Sequence, residues 1–308
     1  MNIYTNITEI DKFENPVITI GTFDGVHLGH QKLLSFLCAK AQEVNGESVV
    51  FTFHPHPRMV LHPDDHNLEL IQTIDERVEK LRECGIDHLI IFPFSKAFSR
   101  LSALEFVRDI LVNKLSLNTL VVGYDHHFGR NREGSMSNLE ELAPLFNFEI
   151  CEIDALSKEE INISSTKIRK AIQEKKISTA TRFLGSPFQL SGIVVEGDKI
   201  GASIGFPTAN VQVDMNYKLI PPNGVYVVTV YCKKGIYSGM LNIGERPTVS
   251  NTGELRIEVH ILDFEGNLYD SKIKMDLLKY IRPELNFTSK GDLINQIKED
   301  EKVCRSVV

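Results

Sequence analysis

Two histidines lie in a glycine-containing turn between an apolar run and a helical pattern. The turn is Gly21–His30, which follows the predicted buried strand Val17–Gly21 and leads into His30–Val44, whose apolar residues recur at helical spacing. Glycine lets the backbone approach a phosphate closely, and a helix N-terminus carries partial positive charge. Because imidazoles can donate hydrogen bonds to phosphate oxygens, we predict that His27 and His30 stabilise charge on a nucleotide phosphate. Without further context, structural hydrogen bonding remains the simpler explanation of such a histidine pair.

A second polar segment has the composition of an anion site. In Ile163–Arg169, Ser and Thr side chains precede a helical pattern and are suitable N-caps. The free backbone N–H groups of a helix N-terminus attract anions, and Lys167 and Arg169 add full positive charges. The chain contains no P-loop motif, so any phosphate chemistry must use other turns.

The second half of the chain contains one candidate metal segment and one carboxylate in a predicted strand. Thr208 and Asn210, in Gly205–Asn210, offer neutral oxygens that suit Mg²⁺ when waters and phosphate oxygens complete its coordination. Glu258 lies in the alternating pattern Arg256–His260, which predicts a strand. An ordinary turn and a solvent-facing strand residue are the alternative interpretations of these two features.

The elements around the first turn alternate between strands and helices. This alternation predicts an α/β domain with a parallel sheet that is covered on both faces, and ligands in such sheets lie beyond the carboxyl ends of the strands. The predicted strands are Val17–Gly21, Ser48–Phe53, His88–Phe92, Thr119–Gly123 and Phe148–Ile153, and the predicted helices are His30–Val44, Asp75–Cys84, Ala103–Leu115 and Asn138–Leu145.

The pattern changes near Gly185, where we place a boundary between an N-terminal domain, 1–184, and a C-terminal domain, 185–308. Beyond it, β-branched and aromatic runs separated by turn residues predict a small antiparallel sheet or barrel. Ser289–Val303 predicts a C-terminal helix that Ser289 caps. The predicted strands are Phe188–Glu196, Gly224–Tyr231, Tyr237–Ile243, Leu255–Leu262 and Lys272–Tyr280.

Composition narrows the class of protein. The chain has 308 residues and a net charge of −7, which disfavours a general nucleic-acid binder because phosphate backbones require basic surfaces. The sequence has no apolar run long enough to span a bilayer and no secretory pattern near Met1. Its five cysteines are scattered, which is typical of reduced thiols. We therefore expect a cytoplasmic protein that binds neither nucleic acid nor a membrane. Separately from composition, we expect small-molecule substrates and a monomer or weak homo-oligomer.

The ordered set of motifs resembles a known family. Gly21–His30 resembles the His-x-Gly-His signature of the nucleotidyltransferase superfamily, and Ile163–Arg169 resembles its partner motif. With Pro55–Arg58 and Asp125–Gly129 between them, they resemble the bacterial bifunctional FAD synthetases. Gly205–Asn210 resembles the nucleotide and metal signature of riboflavin kinases. It is followed in that family's order by Gly224–Tyr226, Asn242–Gly244, Arg246–Thr248, Glu258–His260 and Asp263–Phe264.

The resemblance implies a Rossmann-like FMN adenylyltransferase domain followed by a riboflavin kinase barrel, with Mg²⁺ as cofactor. The kinase would phosphorylate riboflavin with ATP, and the adenylyltransferase would convert the FMN to FAD and pyrophosphate. It implies that His27, His30 and Glu258 are catalytic, with Glu258 as the general base. For ATP binding in the adenylyltransferase, the resemblance implies Gly21, Phe23, Asp24, Ser164, Ser165, Thr166 and Arg169, and for flavin or nucleotide binding it implies His56, Arg58 and Asp125. For ATP binding in the kinase, it implies Gly201, Gly205, Thr208, Asn210 and Asn242. Thr208 and Asn210 would also bind the metal.

Two other functions remain open at this point. One is a nucleotidyltransferase with a different phosphorylated acceptor, such as pantetheine phosphate or nicotinamide mononucleotide. The other is a flavin-binding regulator without catalysis. The chain also departs from the family pattern at Ala202, where arginine is common, at His126 and His127, and at Asp270, where glycine is common.

Overall fold

The computed structural model describes residues 1–64, 68–123, 136–153, 163–197, 201–213, 215–246 and 254–307. The chain forms two compact units. The first contains Met1–Leu68 and Ile74–Ile163, and the second contains Glu69–Thr73 and Ser164–Val308. The domain boundary expected at 184/185 stays a prediction, since the contacts of the chain divide it at a different point.

The first unit is built on a six-stranded sheet in which every pair of neighbouring strands is parallel. The order across the sheet is β1-β4-β3-β2-β5-β6. The strands are β1 Asn2–Tyr4, β2 Val17–Ile20, β3 Ser48–His54, β4 His88–Pro93, β5 Thr119–Gly123 and β6 Glu149–Ile153. The predicted parallel sheet is therefore confirmed, and β1 is an additional short edge strand.

Both faces of this sheet are buried, which explains the continuous apolar character of its central strands. Successive side chains point to opposite faces. Ile18 and Ile20 pack in one apolar cluster, while Val17 packs in another. In the same way Phe51 and Val50, neighbours on β3, belong to different clusters.

Helices cover the two faces. They are α1 Leu28–Glu43, α2 Pro57–Leu61, α3 Ile74–Glu83, α4 Ala103–Glu105 and α5 Met136–Phe146. The predicted helix over Ala103–Leu115 is present in a modified form, because α4 continues into a π-helical segment, Phe106–Val112, with i to i+5 hydrogen bonds such as Asn113 N–H to Arg108 O at 2.9 Å.

The second unit contains a closed antiparallel barrel with the order β10-β11-β8-β7-β12-β9. Its strands are β7 Phe188–Val195, β8 Ala209–Gln212, β9 Gly224–Cys232, β10 Gly235–Arg246, β11 Glu254–Ile261 and β12 Lys272–Arg282. The barrel prediction is confirmed. The four-residue strand β8, which alternates polar and apolar residues, lies in the segment that the sequence suggested was a turn or loop.

Three helices complete this unit: α6 Ser165–Gln173, α7 Ile177–Leu184 and α8 Lys290–Val307. The predicted caps are confirmed, because Lys167 N–H donates to Ser164 Oγ at 3.3 Å and Asp292 N–H donates to Ser289 Oγ at 3.1 Å. In α8, Cys304 is fully buried and packs in a cluster with Val227 and Met240 of the barrel. Helix α8 thus covers part of the barrel's outer surface.

Candidate functional site

The turn after β2 has an unusual backbone. Phe23 and Val26 have positive φ angles of 48° and 37°, which non-glycine residues rarely adopt, and Gly25 has a φ of 91°. His27 then caps α1, since its Nδ1 accepts a hydrogen bond from the backbone N–H of His30 at 3.3 Å. Such strain is concentrated at functional sites because the surrounding fold must maintain it.

This backbone brings the two predicted histidines together. The imidazole rings of His27 and His30 are stacked, with centroids 3.7 Å apart and planes at 15°. The ring of Phe23 lies 5.1 Å from that of His30, and both Phe23 and Asp24 are almost fully buried. A Cβ on Gly21 would lie 3.0 Å from the Phe23 ring, so glycine leaves the room that this ring needs.

The electrostatics of the turn favour the neutral form of His30. Burial lowers the pKa of His30 well below its usual value, and the charges of His27 and Arg77 lower it further. At the end of β3, burial also lowers the pKa of His54, again with help from Arg77, while Asp75 acts in the opposite direction. Neutral imidazoles can donate through one nitrogen and accept through the other.

Sequence reasoning missed Arg77. This residue lies on α3, is only 1% exposed, and its Nη1 donates to the carbonyl oxygen of Phe53 at 3.5 Å. The available indication was its position in the apolar stripe of α3, three residues after Ile74 and four before the buried Leu81.

Two weaker candidates lie after β3. His56 is 8% exposed and caps α2, because its Nδ1 accepts from the backbone N–H of Arg58 at 3.2 Å. His56 therefore has a structural role that is independent of any ligand. Asp125, the third member of this predicted group, lies outside the described residues.

In the second unit, the predicted anion segment begins α6. Ser164 is its N-cap, and Ser165 and Thr166 are its first two residues. The Nε–H of Arg169 donates to the carbonyl oxygen of Glu69 at 2.8 Å. Arg169 thus ties α6 to the short segment Glu69–Thr73 of the same unit.

The barrel has a cavity of about 300 Å³, and four residues predicted for the kinase line it. They are Gly201, Thr208, Asn242 and Glu258. Their neighbours in the lining were not predicted from the sequence: Ile204, Phe206, Val225, Met240, Arg256, His260, Arg282, Glu284, Leu285, Phe287, Leu293, Ile297 and Asp300. The cavity therefore combines polar groups from the barrel with apolar side chains from the segment after β12 and from α8.

The register of three strands explains why the predicted residues meet. Glu258 on β11 pairs with Asn210 on β8 and with Asn242 on β10. Directly opposed residues share one face of a sheet, so the three side chains form a row across the barrel. At its edge, Thr208 Oγ1 donates to Oε2 of Glu258 at 3.5 Å.

Residues on the same face of β11 surround the candidate base. Arg256 Nη1 lies 3.2 Å from Oε1 of Glu258, and His260 Nδ1 donates to the carbonyl oxygen of Pro207 at 2.7 Å. The spacing of two residues places Arg256, Glu258 and His260 on one face. This alternation could have identified both neighbours from the sequence.

The segment after β12 supplies the other side of the cavity. Arg282 forms a bidentate ion pair with Asp300 of α8, with Nη2 2.7 Å from Oδ2. Asn242 Nδ2 donates to Oε1 of Glu284 at 3.3 Å, and a side chain at Gly244 would collide with that carboxylate. These contacts connect β10, β12 and α8 around the cavity.

The remaining kinase candidates have other positions. Asn210 is not among the residues that line the cavity. Its amide packs against the backbone of Gly197, since a Cβ on residue 197 would lie 2.0 Å from Nδ2 of Asn210. Gly205 has a φ of 86°, a backbone conformation that favours glycine, and a Cβ on this residue would have no atom within 4 Å. Ala202 lies in the short 3₁₀ segment Gly201–Ile204, and Asp270 has a positive φ of 58°.

Two family models match the chain. The FAD synthetase model matches residues 9–167, and the riboflavin kinase model matches residues 184–308. No helix in the described ranges is long and apolar enough to cross a membrane.

Curated relatives extend over nearly the whole chain. A bifunctional riboflavin kinase/FMN adenylyltransferase from Buchnera aphidicola subsp. Schizaphis graminum is 39% identical over 99% of this chain and 98% of its own length. The protein of the same name from Escherichia coli K12 is 38% identical over 95% of this chain and 92% of its own length.

A solved structure has the same fold over the same extent. It is named a macrolide-efflux protein from Streptococcus pneumoniae, is 32% identical, covers 98% of both chains and has a TM-score of 0.88. The two alternatives considered above, another acceptor or a non-catalytic regulator, are not favoured, because both enzyme domains match in order. The chain belongs to the bifunctional riboflavin kinase/FMN adenylyltransferase family.

Proposed function

We propose that this chain makes FAD from riboflavin in two ATP-dependent steps with a separate site for each. The kinase domain phosphorylates riboflavin to FMN, and the FAD synthetase domain transfers AMP from ATP to FMN and releases pyrophosphate. The observation that carries the proposal is the barrel cavity, where Glu258 lies beside Thr208 and Asn242. For the second step, the proposal is supported by the stacked rings of His27 and His30 at the N-terminus of α1.

In the kinase step, Glu258 is the general base. Its carboxylate takes the proton of the ribityl 5′-hydroxyl while the hydroxyl oxygen attacks the γ-phosphorus of ATP and ADP leaves. Arg256 on one carboxylate oxygen and Thr208 on the other hold Glu258 in a single orientation. The cavity's apolar wall, which includes Leu285 and Phe287, suits a planar ring system.

We propose Thr208 and Asn210 as the protein ligands of Mg²⁺ in this step. Their hydroxyl and amide oxygens are the neutral ligands that a hard cation prefers. When bound, Mg²⁺ would neutralise charge on the transferred phosphoryl group. The strand register supports this proposal, because Glu258 opposes Asn210 and directly opposed side chains share one face of a sheet.

In the adenylyl-transfer step, the FMN phosphate attacks the α-phosphorus of ATP, so no protein nucleophile is required. His27 and His30 donate hydrogen bonds to phosphate oxygens as negative charge builds up. Ser164, Ser165, Thr166 and Arg169 bind the triphosphate at the N-terminus of α6. Gly21, Phe23 and Asp24 maintain the turn, and His56 and Arg58 are weaker candidates for the flavin or nucleotide.

Further proposals concern the cellular location, the oligomeric state and the domain boundary of the enzyme. All five cysteines, each in the described part of the chain, are free thiols, which supports a reducing cytoplasm. We propose a monomer or weak homo-oligomer that does not bind nucleic acid, in keeping with the net charge of −7. We also propose a functional boundary at 184/185, which is supported by the start of the riboflavin kinase match at residue 184.

A product assay tests the proposal. The protein is incubated with riboflavin, ATP and Mg²⁺, and FMN and FAD are separated and followed over time. FMN should appear first, and FAD should follow. If FMN accumulates without FAD, the adenylyl-transfer step is wrong. If riboflavin is bound but unchanged, the kinase step is wrong, and the same assay with supplied FMN then tests adenylyl transfer.

A further inference from the structure

His260 connects the strand of the candidate base to the segment that contains Thr208. It lies two residues after Glu258 on β11, lines the same cavity and is partly buried. Its Nδ1 lies 2.7 Å from the carbonyl oxygen of Pro207. Because a carbonyl oxygen can only accept, Nδ1 of His260 must carry a proton and donate it to this bond. The imidazole therefore holds the backbone of the residue directly before Thr208.

The strand register explains why a side chain is needed at this point. Val259 of β11 pairs with Ala209, the first residue of β8, whereas β11 continues to Ile261. The chain before Ala209 thus leaves the ladder at the position opposite His260. Pro207 lacks the N–H that a strand residue would donate to its neighbour. The hydrogen bond from His260 holds the chain where the strand pairing ends.

A ring contact adds to this hydrogen bond. The ring centroids of Phe206 and His260 lie 5.5 Å apart with planes at 71°, the edge-to-face arrangement that aromatic pairs prefer. The N–H of Phe206 donates to the carbonyl oxygen of Gly201 at 2.9 Å, which closes the turn between these two residues. His260 therefore contacts two successive residues, Phe206 and Pro207, and the next residue along the chain is Thr208.

The position of Thr208 matters because its hydroxyl reaches the candidate base. Thr208 Oγ1 donates to Oε2 of Glu258 at 3.5 Å, which is long for a hydroxyl donor. A small further displacement of Thr208 would break this contact and leave Glu258 with one orienting partner fewer. Small misplacements of a catalytic group reduce the rate strongly. The contacts of His260 thus restrain the residue that orients the base.

We propose that His260 is a positioning residue for riboflavin phosphorylation, whose Nδ1–H holds the Pro207 carbonyl and so keeps the Thr208 hydroxyl on Glu258. The inference rests on the proposed kinase step. A histidine that only supported the barrel would change the stability of the protein but would leave the kcat of the folded enzyme unchanged.

The test separates the hydrogen bond from the ring contact in the full-length chain. His260→Phe keeps an aromatic ring beside Phe206 but has no donor. His260→Asn loses the ring but can place an amide N–H near the position of Nδ1, whereas His260→Gln places its amide one bond further out. The matched control is Tyr237→Phe, which removes a hydrogen bond from a side chain to the carbonyl oxygen of Lys234 elsewhere in the barrel.

Three measurements are made on each variant. Steady-state kinetics of FMN formation from riboflavin and ATP give kcat and KM. FAD formation from supplied FMN serves as an internal check of folding. Hydrogen exchange of the Phe206 amide, which closes the turn with Gly201, reports on local opening of the segment without requiring activity.

We expect kcat for FMN formation to fall about tenfold in His260→Phe, with a change of less than about twofold in the KM of riboflavin. The Phe206 amide should exchange about fivefold faster or more, the effect of one lost hydrogen bond. His260→Asn should recover most of the wild-type kcat, and Tyr237→Phe should change neither quantity. FAD formation from FMN should be unchanged in every variant.

A wild-type kcat in folded His260→Phe would overturn the proposal, and so would an equal loss of kcat in His260→Asn. If His260→Phe does not fold, His260→Gln decides by the same criterion, because its donor is displaced from the position of Nδ1. If the wild-type chain forms no FMN, the proposed kinase step fails. Exchange of the Phe206 amide would still show whether His260 holds the segment, since an unchanged rate in His260→Phe would contradict that role.

Discussion

Arg256 Nη1 lies 3.2 Å from Oε1 of Glu258, and the two residues are separated by one position on the same barrel strand. Both side chains are mostly buried, with 28% and 21% of their surface exposed. The pair holds the proposed base in one orientation on the face that Asn210 and Asn242 share. A carboxylate that must accept a proton from one substrate hydroxyl needs this restriction, because misplacement of a catalytic group reduces the rate strongly.

Replacing Arg256 with methionine should therefore slow riboflavin phosphorylation. We expect kcat to fall about tenfold, the size of one charge-assisted hydrogen bond, with a smaller change in KM. Steady-state kinetics of FMN formation measure this, and Lys279→Met is the control because it removes an exposed cation from another barrel strand. An Arg256→Met enzyme with wild-type kcat would show that Arg256 does not orient the base.

The proposed metal ligands predict a specific change in Mg²⁺ dependence. Thr208→Ala and Asn210→Ala should each raise the Mg²⁺ concentration for half-maximal kinase activity by about tenfold or more, the effect that loss of even an outer-sphere partner typically has. FAD formation from FMN should keep its Mg²⁺ dependence. Titration of both activities with Mg²⁺ in the same preparation makes this comparison. A parallel shift in both activities would argue against a metal site at these residues.

The ion pair between Arg282 and Asp300 should stabilise the second unit. Asp300 is only 3% exposed, so Arg282→Met would leave a buried carboxylate without its cation. We expect the free energy of unfolding to fall by about 3 kcal/mol, as when one partner of a buried pair is removed. Urea unfolding measures the loss.

Arg305→Met serves as the control for that experiment. Arg305 lies on α8, as Asp300 does, and forms more exposed ion pairs with Asp263, which follows β11, and with Glu301. Exposed pairs contribute about 1 kcal/mol or less. Equal losses in the two variants would mean that the Arg282–Asp300 pair has no special role in holding α8.

His30 should make the protein less stable in acid. Its pKa is lowered in the folded chain, chiefly by burial, whereas in the unfolded chain it titrates near about pH 6.5. As pH falls below that value, the unfolded chain binds a proton that the folded chain does not, so the free energy of unfolding falls. Urea unfolding at about pH 7.5 and about pH 5.5 should show a smaller acid-induced loss in His30→Gln than in the wild type. The exposed His62→Gln should behave like the wild type, and an equal loss in all three proteins would contradict a buried neutral His30.

The sequence predicted the main strands well because their patterns depend on burial alone. Parallel strands such as Val17–Ile20 are apolar throughout, and the barrel strand with Glu258 alternates in polarity. The three-residue β1 and the four-residue β8 were missed, since such short segments pair only through tertiary contacts. The segment Ala103–Leu115 was predicted as one helix. Its apolar spacing did not indicate the π-helical turn at Phe106–Val112.

The candidate sites were predicted where their residues are adjacent in the chain. His27 and His30 are separated by two residues, and the structure stacks them. Arg77 was missed because an arginine within a helix ordinarily faces solvent, and only the folded structure buries it. Arg282 and Glu284 were missed because a β-barrel brings residues together that are far apart in sequence.

The most direct test of the two-site account compares Glu258→Gln and His30→Ala. Glu258→Gln should phosphorylate riboflavin at least about 100-fold more slowly, yet convert supplied FMN to FAD at the wild-type rate. His30→Ala should show the reverse. A mixture of the two variants, given riboflavin, ATP and Mg²⁺, should restore FAD formation, because FMN from one protein serves the other. Loss of both activities in each folded variant, or a mixture that makes no FAD, would contradict the account.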